Sequence, residues 1–249
     1  VARASASAQA SVDSLLDSVT REWRTSVQFE VFSRELSGLA RNIRRKFLPA
    51  NWHEVKLPKV GVLRSLVLDE GLPLAWTVPP AVLQRILDAP SPARRRGIIG
   101  ESWGAILQHC RSELDHLTSR EGRQYAYFIS ASITSIESGH REAGQALAAN
   151  TLDTIMTRYG FSYQKSKSTP DVSDLGMVDT LVLGALWAAY RQFWGRTPDA
   201  VVPQVFLRHA TAHGVSRRQY SLRNATLAVM HLMAVARWCE VHGWQDQRL

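Results

Sequence analysis

Residues 123–161, RQYAYFISASITSIESGHREAGQALAANTLDTIMTRYGF, decide the fold. The first half reads as a helix that turns at Gly139, and the second half as the return helix of an αα-hairpin. Small residues on the return helix (Ala143, Gly144, Ala146, Ala148, Ala149) allow the two backbones to approach closely. Tyr125, Tyr127 and Phe128 recur at helical spacing, which suits core positions better than a base-stacking platform.

The same periodicity extends both ways. Upstream, ESWGAILQHCRSELDHL is amphipathic through Trp103, Ile106, Leu107, Cys110, Leu114 and Leu117. Downstream, a polar loop at 161–173 leads into DLGMVDTLVLGALWAAYRQFWG, apolar on nearly all sides and therefore central. Residues 11–47 repeat apolar positions from Leu15 to Phe47 every three or four residues and end in Arg41, Arg44, Arg45 and Lys46. Cations in a last turn complement the helix dipole, and Arg45 is also a candidate RNA contact.

Prolines interrupt residues 48–100. A helix is expected around Gly61–Asp69, stopped at Gly71. LAWTVP reads as extended, PPAVLQRILDAP as a short helix opened by proline, and SPARRRGIIGE as a connector whose arginines are solvated or sit on phosphate. The expected architecture is all-α: a bundle of four to five helices over 100–249, preceded by a helical, proline-interrupted region over 1–99.

Composition bounds the function classes. At 249 residues with 45% hydrophobic side chains and eight tryptophans, the chain can bury substantial cores. A net charge of +8 and a pI near 9.9 favour anionic partners, nucleic acid or an acidic protein. Only five of the 30 basic residues are lysines, and arginine forks suit phosphate. Cys110 and Cys239 lack ligand spacing and read as buried thiols in a reducing compartment. The small, polar N-terminus has no apolar core of a secretory signal, and the longest apolar run, 177–190, contains Asp179 and is too short to span a bilayer. A cytoplasmic protein without a membrane segment is expected. No phosphate-binding glycine loop, dinucleotide fingerprint or nucleophile elbow occurs, so no cofactor is implied.

The chemistry concentrates in VFLRHATAHGVSRRQYSLRNATLAVMHLM, residues 205–233. Thr197 and Pro198 suit the start of a short helix and Gly214 its end. Ser216 and Gln219 match a capping box opening a final helix that buries Leu222, Ala225, Val229, Leu232, Met233, Ala236 and Cys239. His213 then lies just ahead of a helix N-terminus, a place that favours anions, with Arg208, Arg217 and Arg218 close by in the chain. Positive surroundings hold a histidine toward its neutral, basic form. Histidine with arginine suits metal-independent phosphodiester cleavage: one moves the proton, the other stabilises charge on phosphorus.

Arg208-His209-Ala-Thr-Ala-His213 ahead of the last long helix resembles the R-x4–6-H motif of the HEPN superfamily. The hairpin GHREAGQALAANTLDT and the terminus RHATAH…QYSLRNATLAVMHLM are also similar to helical actinobacterial proteins of that type. The resemblance covers roughly 100–249. It implies an endoribonuclease in which Arg208 stabilises phosphate, His213 is catalytic and His209 supports them; Arg217 and Arg218 are candidate RNA contacts by their place in the chain alone. It further implies a homodimer, a defence or toxin setting and a protein partner such as an antitoxin. Other members of the superfamily are non-catalytic RNA-binding or scaffolding modules.

Two other readings compete. In the plainer one, Arg208 pairs with a carboxylate and His213 bonds backbone, closing the helix end as a purely structural corner. In the other, His209 and His213 at i, i+4 are zinc ligands, but HATAH lacks the glutamate of a zinc-protease helix and no third ligand is near, so no metal is expected. On a straight helix Arg208 and His213 diverge by about 140°. A shared symmetric cleft favours catalysis; a corner sealed by a carboxylate favours an interaction module.

Overall fold

The computed structural model describes residues 46–159, 175–191, 193 and 203–244. Among them every regular element is helical, as the periodicity predicts. Of the expected helix over 11–47, only Lys46 and Phe47 are described, and both are helical; Arg45, the loop at 161–173 and the Thr197–Pro198 helix start lie outside the described residues.

Helix α1 comprises Val60–Arg64 and continues through Ser65–Asp69 as a wider π turn, in which the Glu70 N–H donates to the Ser65 carbonyl at 3.0 Å. It stops at Gly71, where φ is +65° and a Cβ would stand 2.7 Å from the Ala188 Cβ. Both the left-handed backbone and the close approach require glycine there.

LAWTVP is buried, as its apolar character demands, but it is not extended. It bends at Ala75–Val78, with Trp76 at φ 59°. The buried Asn51 holds the bend, donating to the Leu74 and Val78 carbonyls at 2.9 and 3.0 Å and accepting from the Trp76 N–H at 3.0 Å. One side chain thus satisfies backbone groups that would otherwise need a neighbouring strand.

Helix α2, Pro80–Asp88, begins on its proline as predicted. The expected connector is instead helix α3, Pro92–Glu101. Ser91 caps it by accepting the Arg94 N–H at 3.3 Å, and proline occupies the first position. Nor are its arginines uniformly solvated. Arg95 is buried and clamps Glu70 at 2.6 Å, Arg94 meets Glu101 at 2.5 Å, and Arg96 is half-buried.

Helix α4 spans Trp103–Glu113, α5 Arg120–Glu137 and α6 Arg141–Arg158, with the turn at Gly139. The α5–α6 hairpin is tight. A Cβ on Gly144 would fall 2.5 Å from the Ile136 Cγ1 and 2.7 Å from the Ser132 carbonyl. Helix α7 runs through Met177–Asp179, a second π turn at Thr180–Gly184, and Ala185–Ala189, with Thr180–Leu186 buried throughout.

Helix α8 is Arg208–His213, and α9 is Leu222–His242. Residues Asn224–Ala236 of α9 are buried on every side, because α3, α4, α5, α6 and α7 all pack around it. Leu222 is only half-buried, whereas Ala225, Val229, Leu232, Met233, Ala236 and Cys239 enter the core as expected. That core is continuous from Trp52 to Cys239. Cys110 and Cys239 are unpaired and buried, and burial raises both thiols, Cys239 to about 12. Among the described residues no helix is long and apolar enough to cross a membrane.

Candidate functional site

Helix α8 is short because its surroundings stop it at both ends. Leu207, with extended backbone, precedes it, and Gly214 ends it, donating its N–H to the Ala210 carbonyl at 2.8 Å. One face faces inward through Ala210 and Thr211, both buried. Thr211 bridges the helix to its support: its hydroxyl donates to the Leu207 carbonyl at 3.0 Å and accepts from the Gln145 amide at 3.1 Å. The Tyr220 hydroxyl donates to the Thr211 carbonyl at 2.8 Å.

The turn after α8 corrects the expected capping box. Ser216 does accept the Gln219 N–H, at 3.2 Å, but no helix begins there. Gln219 is wholly buried, and its amide donates to the Val205 carbonyl at 3.0 Å instead of reaching back to Ser216. The chain closes one more turn, and α9 starts behind Ser221, which accepts the Asn224 N–H at 3.2 Å. His213 is therefore separated from the N-terminus of α9 by the whole Gly214–Ser221 turn.

The candidate side chains are distributed unevenly. Arg208 points toward α6 and pairs with Asp153 at 2.5 Å, both side chains about four-fifths buried. The buried Tyr190 hydroxyl donates to the other Asp153 oxygen at 3.4 Å. Burial, then the neighbouring Asp153 charge, push the Tyr190 hydroxyl well above its ordinary range, so it remains a donor. His209 is half-buried and His213 exposed, their ring centres 6.2 Å apart on the same helix flank. Burial, then the charges of Arg208 and His213, lower the pKa of His209, against a smaller opposing pull from Asp153. Arg217 and Arg218 are exposed in the turn.

The structure thus joins His209 to both its motif partners but turns Arg208 toward a carboxylate rather than toward His213. The sequence alone does not single out Asp153 as a site residue, although it lies within the hairpin segment that carries the resemblance. Its signal is faint, one of two carboxylates on a helix rich in small and apolar residues. His231 is likewise inconspicuous inside the apolar run of α9. It is buried against Phe206, and burial lowers it to about 3 despite an opposing interaction with the Gly71 backbone.

A cleft of about 30 Å³ opens beside the start of α8, lined by Glu70, Arg191, Phe206, Leu207 and His231 among others. That is room for roughly one or two waters, far short of a nucleotide. His109, His116 and His140 lie elsewhere, the first half-buried and the other two exposed. Among the described residues no group of three or more His, Cys, Asp or Glu is arranged to hold a metal ion. Compared with family models, curated proteins and solved structures, the chain finds no match.

Proposed function

We propose that this protein acts on RNA as a metal-independent, HEPN-like endoribonuclease. The observation that carries the reading is the pairing of half-buried His209 with exposed His213 at 6.2 Å, with Arg208 adjacent to His209. A lowered His209 pKa favours its neutral form, which can accept a proton at physiological pH. In the proposed reaction one histidine takes the proton of a ribose 2′-hydroxyl, whose oxygen bonds to the adjacent phosphorus. The bond to the 5′-oxygen breaks, and the second histidine, as imidazolium, protonates that leaving oxygen. The products are a 2′,3′-cyclic phosphate and a 5′-hydroxyl. Arg208 joins by exchanging the Asp153 carboxylate for a phosphate oxygen, one anionic acceptor for another. A homodimer, a cytoplasmic setting, and a defence or toxin role with an antitoxin-like partner belong to this proposal.

A second reading rests on a specific observation. The Arg208–Asp153 pair closes the arginine away, and the adjacent cleft holds only water-sized guests. In that case the fold is an RNA-binding or scaffolding module without turnover. Incubating total RNA and tRNA with the protein in excess EDTA separates the two. The nuclease reading predicts cutting that His213→Ala and Arg208→Ala both abolish; retention of RNA without cutting by folded wild type selects the module.

A further inference from the structure

On α3, Arg94 and Arg95 are each neutralised by a carboxylate, Glu101 and Glu70 respectively. Arg96 is not: among the described residues no carboxylate lies within salt-bridge distance of it, nor of Arg217, Arg218 or Arg223. Arg96 and Arg223 come together where α3 packs against α9. Gly100, one helical turn beyond Arg96, faces Arg223 so closely that a Cβ there would stand 4.0 Å from the Arg223 Cβ. Arg217 and Arg218 occupy the exposed turn that leads to the Ser221 cap.

Arg223 is held in place. Its guanidinium donates to the Gln204 carbonyl at 2.7 Å, while its buried Nε–H finds no acceptor. Burial first, and then the charge of Arg96, lower the Arg223 pKa, which marks the two arginines as mutually repelling. Two cations held side by side, one with an unsatisfied donor and neither with a carboxylate, are at lower energy with an anion between them. The N-terminal dipole of a 21-residue helix adds to the same field.

We infer that Arg96 and Arg223, extended by Arg217 and Arg218, form a seat for consecutive phosphodiesters of single-stranded RNA. The inference rests on the RNA reading above, and its two anchors, Arg96 and Arg223, lie outside the Arg208–His213 motif. A single acidic side chain would answer one guanidinium. Unpaired arginines on α3, at the start of α9 and in the turn before it instead match an anion that repeats along a strand, and guanidinium forks suit its paired oxygens.

The test uses a fluorescent 2′-O-methyl RNA strand, which lacks the attacking hydroxyl, so binding is read by anisotropy without cleavage. The Arg96 side chain makes no hydrogen bond or ion pair among the described residues, so Arg96→Ala is expected to fold, which thermal melting verifies. Its affinity should fall about tenfold, and the slope of log K against log salt should shrink by about 0.7 for each phosphate that is no longer neutralised. Arg96→Lys should recover most of that slope, because charge is retained. A folded Arg96→Ala protein with wild-type affinity and slope overturns the seat. If His213→Ala still abolishes cleavage in that case, the nuclease reading stands without it. If the wild-type protein neither holds this strand nor cuts RNA, both fail together. Binding of an acidic peptide but not the strand, again abolished in Arg96→Ala, replaces RNA with a protein partner and overturns the inference.

Discussion

Arg208 on α8 and Asp153 on α6 meet at 2.5 Å across 55 residues of sequence, and Tyr190 from α7 closes the same carboxylate from its other oxygen. Helices α6 and α8 and the C-cap of α7 are thus tied at the arginine to which the proposed function gives phosphate. The pair positions α8 and, in the proposed reaction, competes with an incoming phosphate.

Breaking it has two opposed effects. Asp153→Asn leaves Arg208 without its counter-charge in a half-buried place, which should cost about 1–3 kcal/mol of stability, read by urea unfolding. The same change frees the guanidinium, so RNA affinity should rise. Weaker RNA binding by a folded Asp153→Asn protein would show that Arg208 does not hold phosphate.

The His209 titration gives a second check. Its pKa lies below the ordinary 6.5, with burial first and the Arg208 and His213 charges next, while Asp153 pulls it upward. NMR of the His209 ring should therefore show a midpoint below 6.5, moving lower still in Asp153→Asn. If His209 is the base, the acid limb of the cleavage profile follows that midpoint. A midpoint above 6.5 in the wild type contradicts the geometry.

Much of this arrangement is legible in the sequence, and the exceptions have physical causes. The αα-hairpin, the stops at Gly71 and Gly214 and the apolar α7 follow from periodicity and glycine placement, which are local signals. SPARRRGIIGE misleads because three adjacent arginines resemble a solvated connector and outweigh the Ser91 cap and Pro92 start; Glu70, at the end of α1, and Glu101 then neutralise Arg95 and Arg94. Ser216 and Gln219 carry the local signature of a helix start, but burying Gln219 against Val205 overrides it. The motif arginine and histidines can be read from sequence. Asp153 cannot, because its role exists only once α6 and α8 are side by side.

Acid stability tests the buried His231. Its folded pKa of about 3 lies below the ordinary 6.5, so the unfolded chain binds the proton first. Stability is full above 6.5 and drains as pH falls toward about 3, amounting to about 2 kcal/mol by about pH 5. His231→Leu should flatten that part of the stability–pH curve, whatever its effect at neutral pH. An unchanged slope in the variant would place the proton uptake elsewhere.

Hairpin packing makes a mutational prediction. Gly144→Ala forces a methyl to 2.7 Å from the Ser132 carbonyl, a backbone atom that cannot swing aside. A cost of about 1–3 kcal/mol is expected from denaturant melts. Ala143→Gly, on the exposed side of the same helix, should cost at most about 1 kcal/mol. Equal losses would mean that α5 and α6 are not closely packed.

The most direct measurement is end-group analysis of RNA fragments produced in EDTA by the wild-type protein beside His213→Ala. The account predicts 2′,3′-cyclic phosphate and 5′-hydroxyl ends, with His213→Ala slowed about a hundredfold or more, as expected when a proton-transfer group is removed. Cleavage that EDTA stops, cleavage that survives His213→Ala unchanged, or intact RNA after prolonged incubation with folded protein would each contradict it.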